Sequence, residues 1–148
     1  MTDESASPVE YARATRVLRA PLNAVWDVIS RFGGVEAWIV GVSACSLDGE
    51  GVGAVRTLQL QGRSAREQLI KLDPAAHTLT YAILEPHALP AKDVRSTITL
   101  RAIAADQTEA VWVSKARAFG VPPEALGARI NEFYARSLAQ LEQLLDAR

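Results

Sequence analysis

Glu67, Tyr81 and His87 are the residues whose types and settings suit them to hold or move a proton, and Arg56 is a cation that could answer a carboxylate. Glu67 has Ala65 and Leu69 two positions to either side. A strand that turns those two towards a core turns Glu67 there as well. A carboxylate so placed must be paired, protonated or hydrogen-bonded. Arg56 and Arg117 are its candidate partners. Three readings of Glu67 stay open: a polar anchor in a cavity, half of an internal ion pair, or a solvated residue on an outer face. Arg56 shares a strand face with Leu58 and Leu60 and is expected to point inward; the opposite phase would turn Val55, Thr57 and Gln59 inward instead. Near the end of the strand region, either Trp112, Ser114 and Ala116 face inward, or Val113, Lys115 and Arg117 do.

His87 lies in the loop Glu85-Pro86-His87-Ala88-Leu89-Pro90; loops hold functional residues disproportionately, yet a single exposed histidine is more often a plain surface residue than a functional one. His77 follows Asp73-Pro74-Ala75-Ala76 and reads as a turn residue. Two histidines and one cysteine, Cys45, build no histidine-rich or thiolate metal site and no internal disulfide. GxSxG, Walker, GxGxxG, HExxH and CxxC patterns are absent, so neither a metal nor a cofactor is expected. The 16 Lys and Arg nearly balance the 17 Asp and Glu and are dispersed, which argues against nucleic acid as a partner. The uncharged stretch nearest to a membrane segment, within 37–47, is too short and polar to span a bilayer, so no membrane insertion is expected. The polar, acidic residues 1–10 lack the apolar run of a secretory signal. The expected setting is the cytoplasm.

These side chains need a scaffold to position them. Residues 1–9 carry too little apolar surface to order and are expected to form a disordered tail, leaving 10–148 as one domain. A strand is expected over 12–20. A helix follows from Pro21 or Asn23, with Leu22, Val25, Trp26, Ile29 and Phe32 on one face and Gly33-Gly34 as its stop. A second helical turn spans 35–39. Six strands then fall at 42–47, 54–61, 66–72, 78–85, 94–104 and 110–118, separated by turn signals such as Asp48-Gly49 and Asp73-Pro74. After Pro122-Pro123 a long helix runs to about residue 146, with Leu126, Ile130, Phe133, Tyr134, Leu138, Leu141 and Leu145 as its apolar stripe. The order predicts an α+β fold: a seven-stranded curved antiparallel sheet around a long C-terminal helix, with two short helices after the first strand. Among the apolar residues are 25 alanines, which supply little side-chain volume. Ala65, Ala82, Ser96, Ala102, Ser114 and Ala116 are candidate inner-face positions where small side chains would leave room for a guest.

The run Ala20-Pro21-Leu22-Asn23-Ala24-Val25-Trp26-Asp27-Val28-Ile29-Ser30-Arg31-Phe32-Gly33-Gly34 resembles the opening of START-like proteins, the superfamily of polyketide cyclase/dehydrase and lipid-transport proteins. The resemblance continues through Gly51-Val52-Gly53-Ala54-Val55-Arg56, Arg66-Glu67-Gln68-Leu69, Leu79-Thr80-Tyr81 and Val111-Trp112, and spans about 12–146. Within the superfamily the chain is similar to bacterial relatives of the plant abscisic-acid receptors. That resemblance implies a helix-grip fold around a cavity for hydrophobic molecules. It matches Glu67 to a pocket carboxylate, Tyr81 and Phe133 to ligand-contacting positions, and His87 with Leu89 to a flap at the entrance. It would also put Arg117 at a pocket position, against the amphipathic phase of its strand. Ser137 replaces the asparagine of the receptor helix. Ser43 stands where the receptors carry the lysine that meets the hormone, so abscisic acid is not the expected ligand. Gln61-Gly62-Arg63-Ser64 is shorter than the receptor gate, and gate closure onto a phosphatase is not expected.

The expected ligand-binding set is Arg56, Leu58, Leu60, Glu67, Tyr81 and His87, together with Leu89, Ser96, Ser114, Phe133 and Ser137. The expected function is binding, in transport or sensing, of a small hydrophobic or amphipathic molecule. The alternative is a cyclase or dehydratase acting on a polyketide-like or aromatic substrate through Glu67, His87 or Tyr81. A third reading is an interaction module, such as a homodimer, that uses exposed Leu89 and Phe119.

Overall fold

Alternating burial along the strands sets the architecture of the computed structural model, which describes residues 7–148. The tail expected over 1–9 lies outside the described residues as far as residue 6, and Val9 already opens the first strand. The elements are β1 (Val9–Leu18), α1 (Leu22–Ile29), a 3-10 turn (Val35–Ala37), β2 (Val42–Asp48), β3 (Val55–Leu60), β4 (Arg63–Asp73), β5 (Thr78–Ile83), β6 (Lys92–Ala104), β7 (Gln107–Arg117) and α2 (Pro123–Asp146). The strands form one antiparallel sheet in the order β1-β7-β6-β5-β4-β3-β2. Consecutive strands from β2 to β7 are neighbours, and β1 returns to pair with β7.

Local chemistry explains most boundaries. Pro21 caps α1, and the helix ends at Ile29, earlier than the glycine pair suggests. Phe32 is therefore not on the helix face: it sits in a left-handed turn at φ 63°, which drops its ring into the core. The second helical turn contracts to three residues, entered through Gly34 at φ 69°. Gln61 and Gly62 both have positive φ, as a tight two-residue hairpin turn requires. Leu60 consequently pairs with Arg63, and β4 begins three residues earlier than expected.

One sheet face packs against α2. Val94, Ser96, Ile98 and Leu100 of β6 are buried, while Thr97 and Thr99 face outward. On β7 the inward set is Trp112, Ser114 and Ala116, all fully buried, which settles the strand phase. Arg117 points outward and pairs with Asp93 at 3.2 Å, so it is not the partner of Glu67. Ala82 also lies on the outer face, opposite Gln68 and Arg95, because its neighbour Tyr81 takes the inner one. Ala102 is exposed, near the irregular end of β6.

The helix is fastened to edge strand β1. A bulge after Glu10 turns both Tyr11 and Ala12 inward. The Arg13 amide donates to Asn131 Oδ1 at 2.6 Å. Gly127 packs against the Tyr11 carbonyl so closely that any Cβ would collide with it. Further along, buried Glu142 accepts hydrogen bonds from Arg16 at 2.8 Å and from the Arg19 amide at 2.7 Å. The Trp112 ring stacks on Tyr134 at 3.9 Å and nearly parallel, joining sheet to helix at the centre.

Candidate functional site

Where the sheet diverges from α2, a cavity of about 570 Å³ remains, within the size range of small-molecule sites. The β3–β4 hairpin, β5, the β5–β6 loop, the Val40-Gly41 turn and the middle of α2 enclose it. Its apolar wall includes Leu60, Ile83, Leu89, Ile130 and Phe133.

Glu67 lies on this wall and is held from behind. Arg56 Nε and Nη2 both reach the same carboxylate oxygen, Oε1, at 2.8 Å. Arg56 Nη1 donates to the Phe32 carbonyl at 3.1 Å. The guanidinium lies 4.1 Å from the Phe32 ring centre and 4.7 Å from that of Tyr81. Planar stacking and forked donation suit arginine to this place. Arg56 is thus a positioning residue outside the cavity lining. The other carboxylate oxygen, Oε2, has no partner among the described residues and is not fully buried, so Glu67, a lining residue of the cavity, keeps one free acceptor.

All three tyrosines of the chain line the cavity. Behind them, Ser96 Oγ lies 2.9 Å from the Tyr134 hydroxyl and 3.2 Å from Ser114 Oγ. Ser114 Oγ lies 2.8 Å from the Tyr11 hydroxyl, and Trp112 Nε1 donates to the Tyr81 hydroxyl at 3.2 Å. Burial is the main force that raises all three phenols above their usual range, and the Glu67 charge raises Tyr81 further. These phenols keep their protons and act as hydrogen-bonding groups, not as bases.

His87 is not the exposed residue its loop suggests: its side chain is 4% accessible and stands on the cavity wall. Nδ1 accepts the Leu89 amide at 3.2 Å, which puts the proton of the neutral ring on Nε2. Nε2 lies 3.2 Å from a Glu85 oxygen without the alignment of a hydrogen bond. Leu89 and Phe119, expected at an exposed interaction surface, are half-buried against the core.

Of the expected binding set, the cavity gathers Leu60, Glu67, Tyr81, His87, Leu89 and Phe133. Leu58 is core, and Ser137 lies beneath the cavity, where its Oγ accepts the Val40 amide at 3.1 Å. Ser96 and Ser114 do not open space for a guest; the tyrosine rings and hydroxyls occupy it. Sequence reasoning missed Tyr11, whose phase the bulge hides, and Ile83. Ile130 was legible as part of the helix stripe. Arg63, Arg129 and Arg136 also line the cavity and carry no motif that would mark them.

A curved antiparallel sheet gripping a long C-terminal helix, with a part-polar cavity between them, defines a START-like helix-grip domain. The chain belongs to the polyketide cyclase/dehydrase and lipid transport family, whose model matches residues 11–146. No curated protein matches it in sequence. Among solved structures it is similar to an uncharacterised protein of Bacillus thuringiensis, with a TM-score of 0.81 and 19% identity over 90% of this chain and 97% of that one. It is also similar to the protein XoxI of Bacillus cereus, with a TM-score of 0.78 and 22% identity over 90% and 95%. A Thermobifida fusca protein gives a TM-score of 0.79 and 23% identity over 88% and 89%. At these identities the likeness establishes the fold. No helix among the described residues is long and apolar enough to cross a membrane.

Proposed function

We propose that this protein binds a small amphipathic molecule in the cavity beside α2, as a cytoplasmic carrier or sensor. The observation that carries the reading is the half-used Glu67 carboxylate. One oxygen is fixed by Arg56, and the other is left without a partner on a cavity wall that mixes apolar and polar side chains. Such an acceptor orients a guest by its hydroxyl or amine, while Leu60, Ile83, Ile130 and Phe133 take up its apolar body. Native mass spectrometry and amide NMR on the purified chain test this. A co-purifying guest, or a panel of apolar alcohols that shifts resonances of Ile83, Tyr81 and Phe133, supports it. Absence of both in a folded sample overturns it.

The same free oxygen supports a second reading. A cyclase or dehydratase needs a base facing its substrate, and Glu67 is a cavity-lining carboxylate with one oxygen not taken up by Arg56. Turnover of a polyketide-type substrate, abolished in Glu67→Gln with folding intact, would establish it over simple binding.

A further inference from the structure

The cavity mouth carries three arginines with no counter-charge. Arg63 stands at the tip of the β3–β4 hairpin, and Arg129 and Arg136 stand two turns apart on α2. All three line the cavity and are exposed. None forms an ion pair or a hydrogen bond through its side chain among the described residues. Glu132, between the two helix arginines, closes on neither of them. Elsewhere eight arginines each pair with a carboxylate. In a chain of net charge -1, three of the five arginines that meet no carboxylate among the described residues therefore line this one cavity, while Arg66, which donates to the Glu85 carbonyl, and Arg148 lie outside it. The lining carboxylate, Glu67, is already neutralised by Arg56 and offsets none of this charge. His87, on the same wall, adds an N–H donor with no aligned acceptor.

We infer that the guest is an oxyanion-headed amphiphile, its carboxylate or phosphate held by Arg63, Arg129 and Arg136 while its apolar body fills the cavity. Guanidinium groups donate paired, charge-assisted hydrogen bonds to either oxyanion. This inference rests on the proposed binding function and names the chemical class of the guest.

The test titrates the full chain with decanoate, decyl phosphate, decanol and decyltrimethylammonium, followed by amide NMR. The two anions should bind about tenfold or more tightly than decanol, as charge-assisted hydrogen bonds predict. The cationic amphiphile should bind most weakly. In Arg63→Gln/Arg129→Gln/Arg136→Gln, all exposed positions, the decanol-to-decanoate ratio of Kd values should fall towards one. Equal binding of all four compounds, or a ratio that survives the triple substitution, overturns the inference and leaves cavity binding intact. Ala65→Phe narrows the cavity and should weaken every compound. Decanoate binding that persists unchanged in that variant, or no binding by any compound, overturns the inference together with the cavity reading. The tighter of the two anions identifies the head group.

Discussion

Replacing Arg56 by Met tests the central claim about the site, that a buried cation holds Glu67 in place. The guanidinium is 4% exposed and the Glu67 side chain 10%. Arg56→Met removes both bonds to Oε1, the bond to the Phe32 carbonyl and two ring contacts, and leaves a mostly buried carboxylate without its cation. Breaking one side of a buried pair costs about 3–5 kcal/mol, much of it from the charge left behind. Against a total stability of about 5–15 kcal/mol, that is a large fraction. For a chain of this size it corresponds to a fall in Tm of about 6–20 °C. Removing both charges in Arg56→Met/Glu67→Leu should restore most of the loss, because apolar replacement of a buried pair is often neutral. Urea and thermal unfolding by circular dichroism of the wild type, both single variants and the double variant give the coupling energy. A single-variant loss below about 1 kcal/mol, or a coupling below about 0.5 kcal/mol, would refute the claim that the pair organises this wall.

Three further outcomes follow from the packing. Gly127→Ala should destabilise by about 2 kcal/mol or more, despite the better helix propensity of alanine, because its Cβ meets the Tyr11 carbonyl; chemical denaturation reads this directly. For Glu142, burial works against the charge, but hydrogen bonds from Arg16 and the Arg19 amide outweigh it and hold the carboxyl below its usual 4.5. Its contribution is therefore present above pH 4.5 and lost as the pH falls through the lowered value, so urea midpoints taken down to acid pH should decline less steeply in Glu142→Gln. The three phenols have raised pKa values, so phenolate absorbance of the folded protein at pH 10 should stay well under the half-ionisation of free tyrosine. Stability should then fall as the pH rises beyond that point, and ionisation should coincide with unfolding.

Much of the scaffold was legible because each local signal agreed with its neighbours. The alternation of Val94, Ser96, Ile98 and Leu100 marked the buried face of β6. The stripe from Leu126 to Leu145 marked α2, and Pro122-Pro123 marked its start. Errors clustered where the backbone leaves its regular period. Phe32 turns into the core from a left-handed residue after the helix, and the bulge beside Tyr11 turns two consecutive side chains inward. Neither is visible in spacing, because the period breaks at those residues. The alanine and serine positions misled for another reason. A small residue leaves volume, but whether a guest or a distant tyrosine fills it depends on the facing element.

The sequence by itself determined the element order and the family resemblance later matched over residues 11–146, and it left the phases of Glu67 and Arg56 open. Those properties reside in periodicity and turn chemistry, which are read within a few residues along one strand or helix. Only the tertiary structure decided that Arg56 occupies one Glu67 oxygen and leaves the other free. It also decided that Tyr11 and Tyr134 fill the space over Ser96 and Ser114, and that Arg63 meets Arg129 and Arg136 at one cavity mouth. Each is a convergence of segments distant in the chain. It depends on the tight Gln61-Gly62 turn and on the helix rotation imposed by Gly127 against β1, geometry that no local pattern encodes.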